Sequence, residues 1–409
     1  MGTASRKLED MVHELASIEV GLPGGETFES NLCLARLTEL GTELWIDTGD
    51  LELARSVWKR ELTSLTTNNT LANQVVQTGV MDEVIRKTAA TLKDVAPGLS
   101  DQERVMEVGF VINCRLALHL VKAFHRKVSV ELHPTISKNI EKTVYYGRRY
   151  YNICPEYFNI KIPLTPEGYL AVRRLGKDNI PINFTLGFSA RQNYLAARLS
   201  NPDYVNVFLG RLNQVTVDNN FGSGINVGEK VTWATQKMLN EIRDKDPMVT
   251  TRLIGASIRN GEQVKALAGL DVLTVPPKAI QEFLDSGNSS LESGVGKEWT
   301  PGISSASERF QTLWDVTESF RSFVDILLGR SDIDSLTGAD LLRTAEERDV
   351  DLFYSFTEAD YRKIYDYGKI PNISDWPKNV ALDDLMTTSA LNSFAKDQDA
   401  LDSRIRSFL

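Results

Sequence analysis

The chain has 409 residues, of which 42% are hydrophobic and 25% charged, the balance of an ordinary globular protein. Acidic residues outnumber basic ones by 55 to 46, and the net charge of -9 argues against nucleic acid or an anionic membrane as partner. A small phosphorylated ligand stays open, because a few local arginines can hold one inside an acidic protein.

Helical spacing of apolar residues runs over 4–19 and 29–40, with the glycines of 21–25 between them. Glu43–Asp47 reads as a strand, 50–60 as a helix capped by Thr48 or Asp50, and 62–67 as the second strand. A long helical insertion fills 70–126. Further strands are expected at 127–132, 158–162, 181–186, 204–210, 252–257 and 271–275. Helices are expected at 135–150, 166–175, 190–199, 261–267 and 278–284. Eight short strands alternating with helices predict an α/β fold, a (β/α)8 TIM barrel over 43–287 entered from an N-terminal helical segment, 1–42. The Gly- and Ser-rich stretch 286–307 reads as a linker or surface loop. The stretch 221–228 lacks the Gly-Lys-Ser/Thr ending of a phosphate loop and reads as a plain surface loop. Helical patterns at 307–330, 338–348, 357–367 and 382–408 make 288–409 an all-helical C-terminal extension. In the last of these, Leu391, Phe394, Leu401 and Ile405 form an apolar stripe that needs a partner. Either the open face of the barrel or the helices of 307–367 could supply it.

Cys33, Cys114 and Cys154 are odd in number and far apart, so neither a disulfide framework nor a zinc site is expected, and a reducing, cytoplasmic setting is. The histidines at 13, 119, 125 and 133 lack metal-ligand spacing. The first 20 residues are charged and amphipathic, without a signal-peptide core, and no apolar run approaches the length of a membrane span.

In a barrel of this kind, catalytic groups sit where the strands end. The inward parity near seven strand ends carries Trp45 and Asp47, Thr66 and Asn68, Ser129 and Glu131, Asn159 and Lys161, Asn183 and Thr185, Asn206 and Phe208, and Ser257 and Arg259. The opposite parity is mostly Leu, Ile, Val and Phe, as expected under packed helices. Lys161 stands out. In Phe158–Pro163 it shares a strand face with Asn159, against Phe158, Ile160 and Ile162 on the other. A buried ammonium is costly unless paired or used, and desolvation favours the free amine, which can attack a carbonyl. So many inward polar groups need a purpose or a complete hydrogen-bond network. The set offers one amine nucleophile, two carboxylates for proton transfer, several amide or hydroxyl donors, and arginines for an anion.

The segments IDTGD (46–50), LTTN (65–68), VSVE (128–131), IKIPLTPEG (160–168), INFTLGFS (182–189), VFLGR (207–211), GASIRN (255–260) and DVLTVPP (271–277) occur in an order that resembles the transaldolase / fructose-6-phosphate aldolase family of class I aldolases. SFAKDQDAL (393–401) resembles the closing helix of its larger members. The resemblance implies that Lys161 is the Schiff-base lysine and Asp47 the acid/base of carbon–carbon cleavage. It implies that Glu131 and Thr185 hold a catalytic water, that Asn68 and Asn183 hold the covalent dihydroxyacetone fragment, and that Arg211, Ser257 and Arg259 clamp a phosphate. Arg211 lies one residue beyond the strand-six parity, so its place rests on the motif alone. Asn206 replaces a serine of the substrate site. Glu131 and Phe208 lean toward transfer of the fragment, because the branch that releases it carries glutamine and tyrosine there.

Three further departures leave the sugar open: Asn69 where the family usually has proline, Thr70 where it often has serine, and Leu-His-Pro after Glu131 where Val-Asp-Pro is commoner. The implied activity is transfer of a dihydroxyacetone unit between sugar phosphates in the pentose phosphate pathway. It needs no metal or organic cofactor and no nucleic-acid or membrane partner, and it is compatible with a homo-oligomer. Release of the fragment to water, transfer on a sulfosugar, and a non-catalytic barrel acting as a binding protein are the alternatives.

Overall fold

The computed structural model describes residues 3–21, 28–287, 291–304 and 308–409. Its centre is a sheet of eight strands: Glu43–Asp47 (β1), Leu62–Thr66 (β2), Lys127–Glu131 (β3), Phe158–Pro163 (β4), Ile182–Thr185 (β5), Tyr204–Phe208 (β6), Arg252–Ala256 (β7) and Val272–Val275 (β8). Each pairs in parallel with its sequence neighbour, and β8 closes onto β1. The expected (β/α)8 barrel is therefore present, with helices on its outside. Ile46, Val130, Ile160 and Phe184 are almost wholly buried on the outer parity, where those helices cover them. Because every strand runs the same way, all C-terminal ends meet on one face. The register then sets Asp47 beside Thr66, Glu131 beside Lys161, and Lys161 beside Asn183.

Several boundaries differ from the sequence reading, each for a local reason. The strand read over 204–210 ends at Phe208, because the helix Leu209–Asp218 begins at once. The one read over 252–257 ends at Ala256, because Ser257 takes φ 62°. Asp50, not Thr48, caps the first barrel helix, Leu51–Val57, accepting the N–H groups of Glu52 and Leu53 at 2.9 and 3.0 Å. The region read as one helix over 135–150 splits into a turn at Pro134–Ile136 and a helix, Ile140–Ile153, started afresh by the Asn139 side chain. The pattern over 307–330 breaks likewise, and Thr317 caps the new helix Glu318–Leu328. The pattern over 190–199 is helical in Ala190–Leu195 and widens to a π turn in Ala196–Ser200. The insertion resolves into Asn69–Gln77, Asp82–Val95 and Asp101–Phe124. The helices Leu209–Asp218 and Val227–Lys245 were not read from the sequence.

The segment 291–304 is a surface loop fastened to the barrel. Gly302 N–H donates to the Ile225 carbonyl at 2.7 Å, and Ser304 N–H to that of Phe221 at 2.6 Å. That zips it to the glycine-rich stretch, whose Gly222 and Gly224 have positive φ. Positions 288–290 and 305–307 of the expected linker lie outside the described residues.

Buried apolar side chains run without a break from Val12 through the barrel wall to Phe310, Phe323 and Ile405. The last helix, Leu382–Arg406, is pinned at both ends. Near its start, fully buried Asp383 accepts from Ser189 Oγ at 2.7 Å and from Arg191 Nε and Nη2 at 2.8 and 2.9 Å. Thr387 Oγ1 donates to the Leu186 carbonyl at 2.9 Å. Near its end, Arg404 makes a forked pair with Asp82, with contacts of 2.8 to 3.0 Å. Among the described residues, no helix is long and apolar enough to cross a membrane.

Asp383→Ala strands the buried Arg191 charge, which then retains only Asp351. Removing one partner of a buried pair costs about 3–5 kcal/mol. Urea unfolding should show a loss of that size, and an unchanged midpoint would show that this pair does not hold the helix down.

Candidate active site

A cavity of about 200 Å³ opens at the C-terminal ends of the strands. Nine of the eleven residues singled out from the sequence line it: Lys161, Asp47, Asn68, Asn183, Asn206, Phe208, Arg211, Ser257 and Arg259. The other two are not among its lining residues. Glu131 Oε2 lies 3.4 Å from Lys161 Nζ, and Thr185 is fully buried at the end of β5.

Lys161 is only 4% exposed, and its Nζ donates to the Thr67 carbonyl at 3.0 Å. Glu131, equally buried, has its pKa pushed up to about 7 by burial, against the pull of the Lys161 charge. Asp47 is also raised by burial, opposed by Lys161, by the hydrogen bond from Thr66 and by Arg259. Lys161 thus acts electrostatically on two carboxylates whose burial favours their neutral forms, and for Glu131 this brings proton exchange near neutral pH.

A polar network sets these groups in place. Thr66 Oγ1 donates to Asp47 at 2.7 Å and shares a 2.6 Å hydrogen bond with Thr274 Oγ1. Asn183 Nδ2 donates to Ser129 Oγ, and Asn206 Nδ2 to Asn183 Oδ1, both at 3.2 Å. Asn68 caps the helix Asn69–Gln77 through the Leu71 N–H. Thr185 Oγ1 and one terminal nitrogen of Arg211 are buried without a hydrogen-bond partner from the protein. Buried polar atoms of this kind ask for a ligand.

Two arginines line the cavity as well. Arg211 is buried, its pKa lowered to about 10 by burial and by the Arg259 charge. Arg259 is exposed at the rim and also lowered by burial, opposed by Asp47. Neither guanidinium has an ion-pair partner among the described residues. Such forks bind phosphate or a like anion through paired, charge-assisted hydrogen bonds.

One part of the parity argument needs correction. Ser257 and Arg259 do not continue the inward face of β7; Ile254 and Ala256 do, and they line the cavity. Ser257 reaches it by turning into the left-handed region. Gly210 makes that turn fit. A Cβ there would fall 2.2 Å from the Ser257 carbonyl oxygen and 2.8 Å from Arg259 Cγ. From below, Gln263 accepts the Arg259 N–H at 2.7 Å and donates to Glu229 at 2.9 Å.

The reading also passed over Thr274, although the alternation of Leu273, Thr274 and Val275 in β8 points it inward. It passed over Gly210, whose need for a missing side chain appears only when β6 and β7 are juxtaposed. No pattern marked Lys369, which joins the lining from the C-terminal extension.

The last helix crosses the opening. Phe394 forms part of the cavity wall, with the Arg211 guanidinium 5.5 Å from its ring centre. Asn69 Nδ2 donates to Gln398 Oε1 at 2.9 Å, Thr70 Oγ1 bonds Asp397, and His133 Nε2 lies 3.3 Å from Asp402. Gln398 Nε2 donates to Asp402 at 2.8 Å and ties these contacts together. The helix also touches the helix Glu358–Tyr367, where Asn392 reaches the Tyr361 carbonyl at 3.5 Å. Of its apolar stripe, Phe394 faces the cavity, whereas Ile405 lies over Gly109 of the helix Asp101–Phe124, a surface the sequence reading did not name. Among the described residues, no group of three or more His, Cys, Asp or Glu is placed to hold a metal ion.

The fold and site define a parallel (β/α)8 barrel whose strand ends carry a lysine–carboxylate centre beside unpaired arginines. The sequence model of the transaldolase/fructose-6-phosphate aldolase family matches residues 44–323, and the chain belongs to that family. It is similar to a probable transaldolase of Thermus thermophilus, 31% identical over 246 residues, covering 59% of this chain and 90% of that protein. A transaldolase of Prochlorococcus marinus is 28% identical over 245 residues, 58% of this chain and 72% of that one. A probable transaldolase of Hyphomonas neptunium is 35% identical over 129 residues, 31% of this chain, and the match spans 52% of its own length.

Gly210→Ala should displace Ser257 and Arg259 and weaken binding of inorganic phosphate on the order of ten-fold, the worth of one charge-assisted hydrogen bond. Calorimetric titration reads this directly. Unaltered affinity would show that the β6–β7 junction can absorb a methyl group.

Proposed function

We propose that the protein is a transaldolase acting through an imine on Lys161, and the observation that carries this is a buried lysine set between two carboxylates in a cavity that also holds unpaired arginines. Glu131, 3.4 Å away and with a pKa of about 7, is placed to accept a proton from the Lys161 ammonium. The free amine attacks the C2 ketone of a ketose phosphate. The carbinolamine loses water, with its proton supplied by the same carboxyl group, and the imine remains. Asp47 takes the proton of the C4 hydroxyl, the C3–C4 bond breaks, and an aldose phosphate leaves. The electron pair of that bond is held as a three-carbon enamine on Lys161. An acceptor aldehyde then forms a bond to the enamine carbon, Asp47 returns its proton to the new hydroxyl, and water hydrolyses the resulting imine to release the new ketose and the Lys161 amine. Splitting one hard transfer into two covalent half-reactions is what a nucleophilic amine provides.

Asn183 and Asn206, bonded to each other, and the free terminal nitrogen of Arg211 are the groups that would hold the sugar hydroxyls and the distal anion. Transfer is favoured over release to water by two features. Phe208 offers the enamine an aromatic face without a hydroxyl, and Phe394 with the last helix covers the opening. Sedoheptulose 7-phosphate and fructose 6-phosphate are the donor types that fit this reading, with a place in the pentose phosphate pathway.

Borohydride added with fructose 6-phosphate should trap a covalent adduct on Lys161 alone. An adduct mapped to another lysine, or none with any ketose phosphate or sulfonate, would overturn the mechanism. The pH profile supplies a second check. Glu131 is protonated below about pH 7 and cannot accept the lysine proton there. Transfer should therefore rise through about pH 7 in the natural protein, and Glu131→Gln should abolish that rise. Replacing Phe208 by Tyr should raise dihydroxyacetone release relative to transfer; an unchanged ratio would make Phe208 a packing residue only.

A further inference from the structure

The C-terminal extension contributes a charge to this cavity as well as a cover. Lys369 lies beyond the family match, which stops at residue 323, yet it lines the same cavity as Lys161, Arg211 and Arg259. It follows the helix Glu358–Tyr367 and the turn residue Gly368, whose φ of 76° redirects the chain toward the barrel. The turn is fastened on both sides. Ile373 N–H donates to Asn219 Oδ1 at 2.6 Å, and Asn219 Nδ2 donates to the Pro371 carbonyl at 3.0 Å. Asn219 ends the helix Leu209–Asp218, whose first turn carries Arg211. Lys363 Nζ holds the Asp375 carbonyl at 2.6 Å from the other side. Lys369 itself is exposed at the opening and has no ion-pair or hydrogen-bond partner among the described residues. Its neighbours Lys363 and Lys396, by contrast, are stacked on Trp376 and Tyr365.

We propose that Lys369 is the third cation of the anion site and makes it select a terminal phosphate dianion over a sulfonate monoanion. This rests on the reading above that the cavity takes a sugar with a terminal anion. The charge balance carries the argument. Asp47 stands in the same cavity, and Asp397, held by Thr70, faces Arg211. The two guanidinium groups only balance these two carboxylates and leave no surplus positive charge for the second charge of a dianion. A phosphate monoester carries nearly two at neutral pH and above, because its second pKa is about 6, whereas a sulfonate carries one. An unpaired ammonium at the rim matches that second charge without altering the geometry around Lys161.

The test uses glycerol phosphate and 2,3-dihydroxypropane-1-sulfonate, which lack a carbonyl and cannot react with Lys161. Their affinities are measured by calorimetry at pH 8 for the natural protein, Lys369→Ala and Lys369→Arg. Lys369→Ala should weaken the phosphate about three- to five-fold, as loss of an exposed ion pair does. The sulfonate should weaken less, Lys369→Arg should restore the preference, and the difference should shrink as salt is raised. Equal affinities in the natural protein, equal loss for both probes in Lys369→Ala, or no detectable binding would overturn the proposal. Borohydride trapping with dihydroxyacetone, which carries no anion, reads Lys161 separately, so failure of the imine mechanism is distinguishable from failure of this assignment.

Discussion

The desolvation of one ammonium group is the constraint on which the rest of the molecule depends. Lys161 is withdrawn from water at the closed end of a cavity, where a lone charge would be prohibitive. It is tolerated because Glu131 lies at 3.4 Å and the Thr67 carbonyl at 3.0 Å, with Asp47 near enough to act on it electrostatically. The same burial pushes both carboxyl groups upward, so neither is a fixed counter-ion. Three groups that could share two or three protons in several ways are suited to moving them. Parallel strands make this arrangement possible, because they bring the C-terminal ends of β1, β3 and β4 to one face of the closed barrel.

The last helix supplies Phe394 to the cavity wall, and it is bonded to residues at which the chain departs from the family pattern. Asn69, Thr70 and His133 stand where the family usually has proline, often has serine and more commonly has aspartate, and each has a partner on this helix: Gln398, Asp397 and Asp402. A proline at position 69 could not reach Gln398. These three side chains thus bond the extension and are not among the groups that hold Lys161 in place. The attachment is largely buried and polar, and such networks specify one docking position in a way that an apolar stripe does not.

Much of the barrel was legible because its two periodicities are clean. Strands four to six residues long alternate with helices, and the inward positions of β1 to β6 are mostly polar where the outward ones are mostly Leu, Ile, Val and Phe. The same rule failed at β7. Ser257 and Arg259 reach the cavity through a left-handed turn and the bare backbone of Gly210, neither of which an alternation count can register. Helix breaks at Pro134–Asn139 and before Thr317 were likewise missed, because capping side chains restarted a helix inside what reads as one apolar period.

The sequence by itself determined the order of the eight strands, the outward aliphatic wall and the residues that meet at the strand ends, because burial on one face imposes a pattern on consecutive residues. Only the tertiary structure decided what the extension contributes. Phe394 and Lys369 enter the cavity from segments far along the chain, and the turn carrying Lys369 is held by Asn219 and Lys363. Such contacts leave no local period. Their energy comes from groups that become neighbours only after the barrel has closed and the last helix has been laid across it.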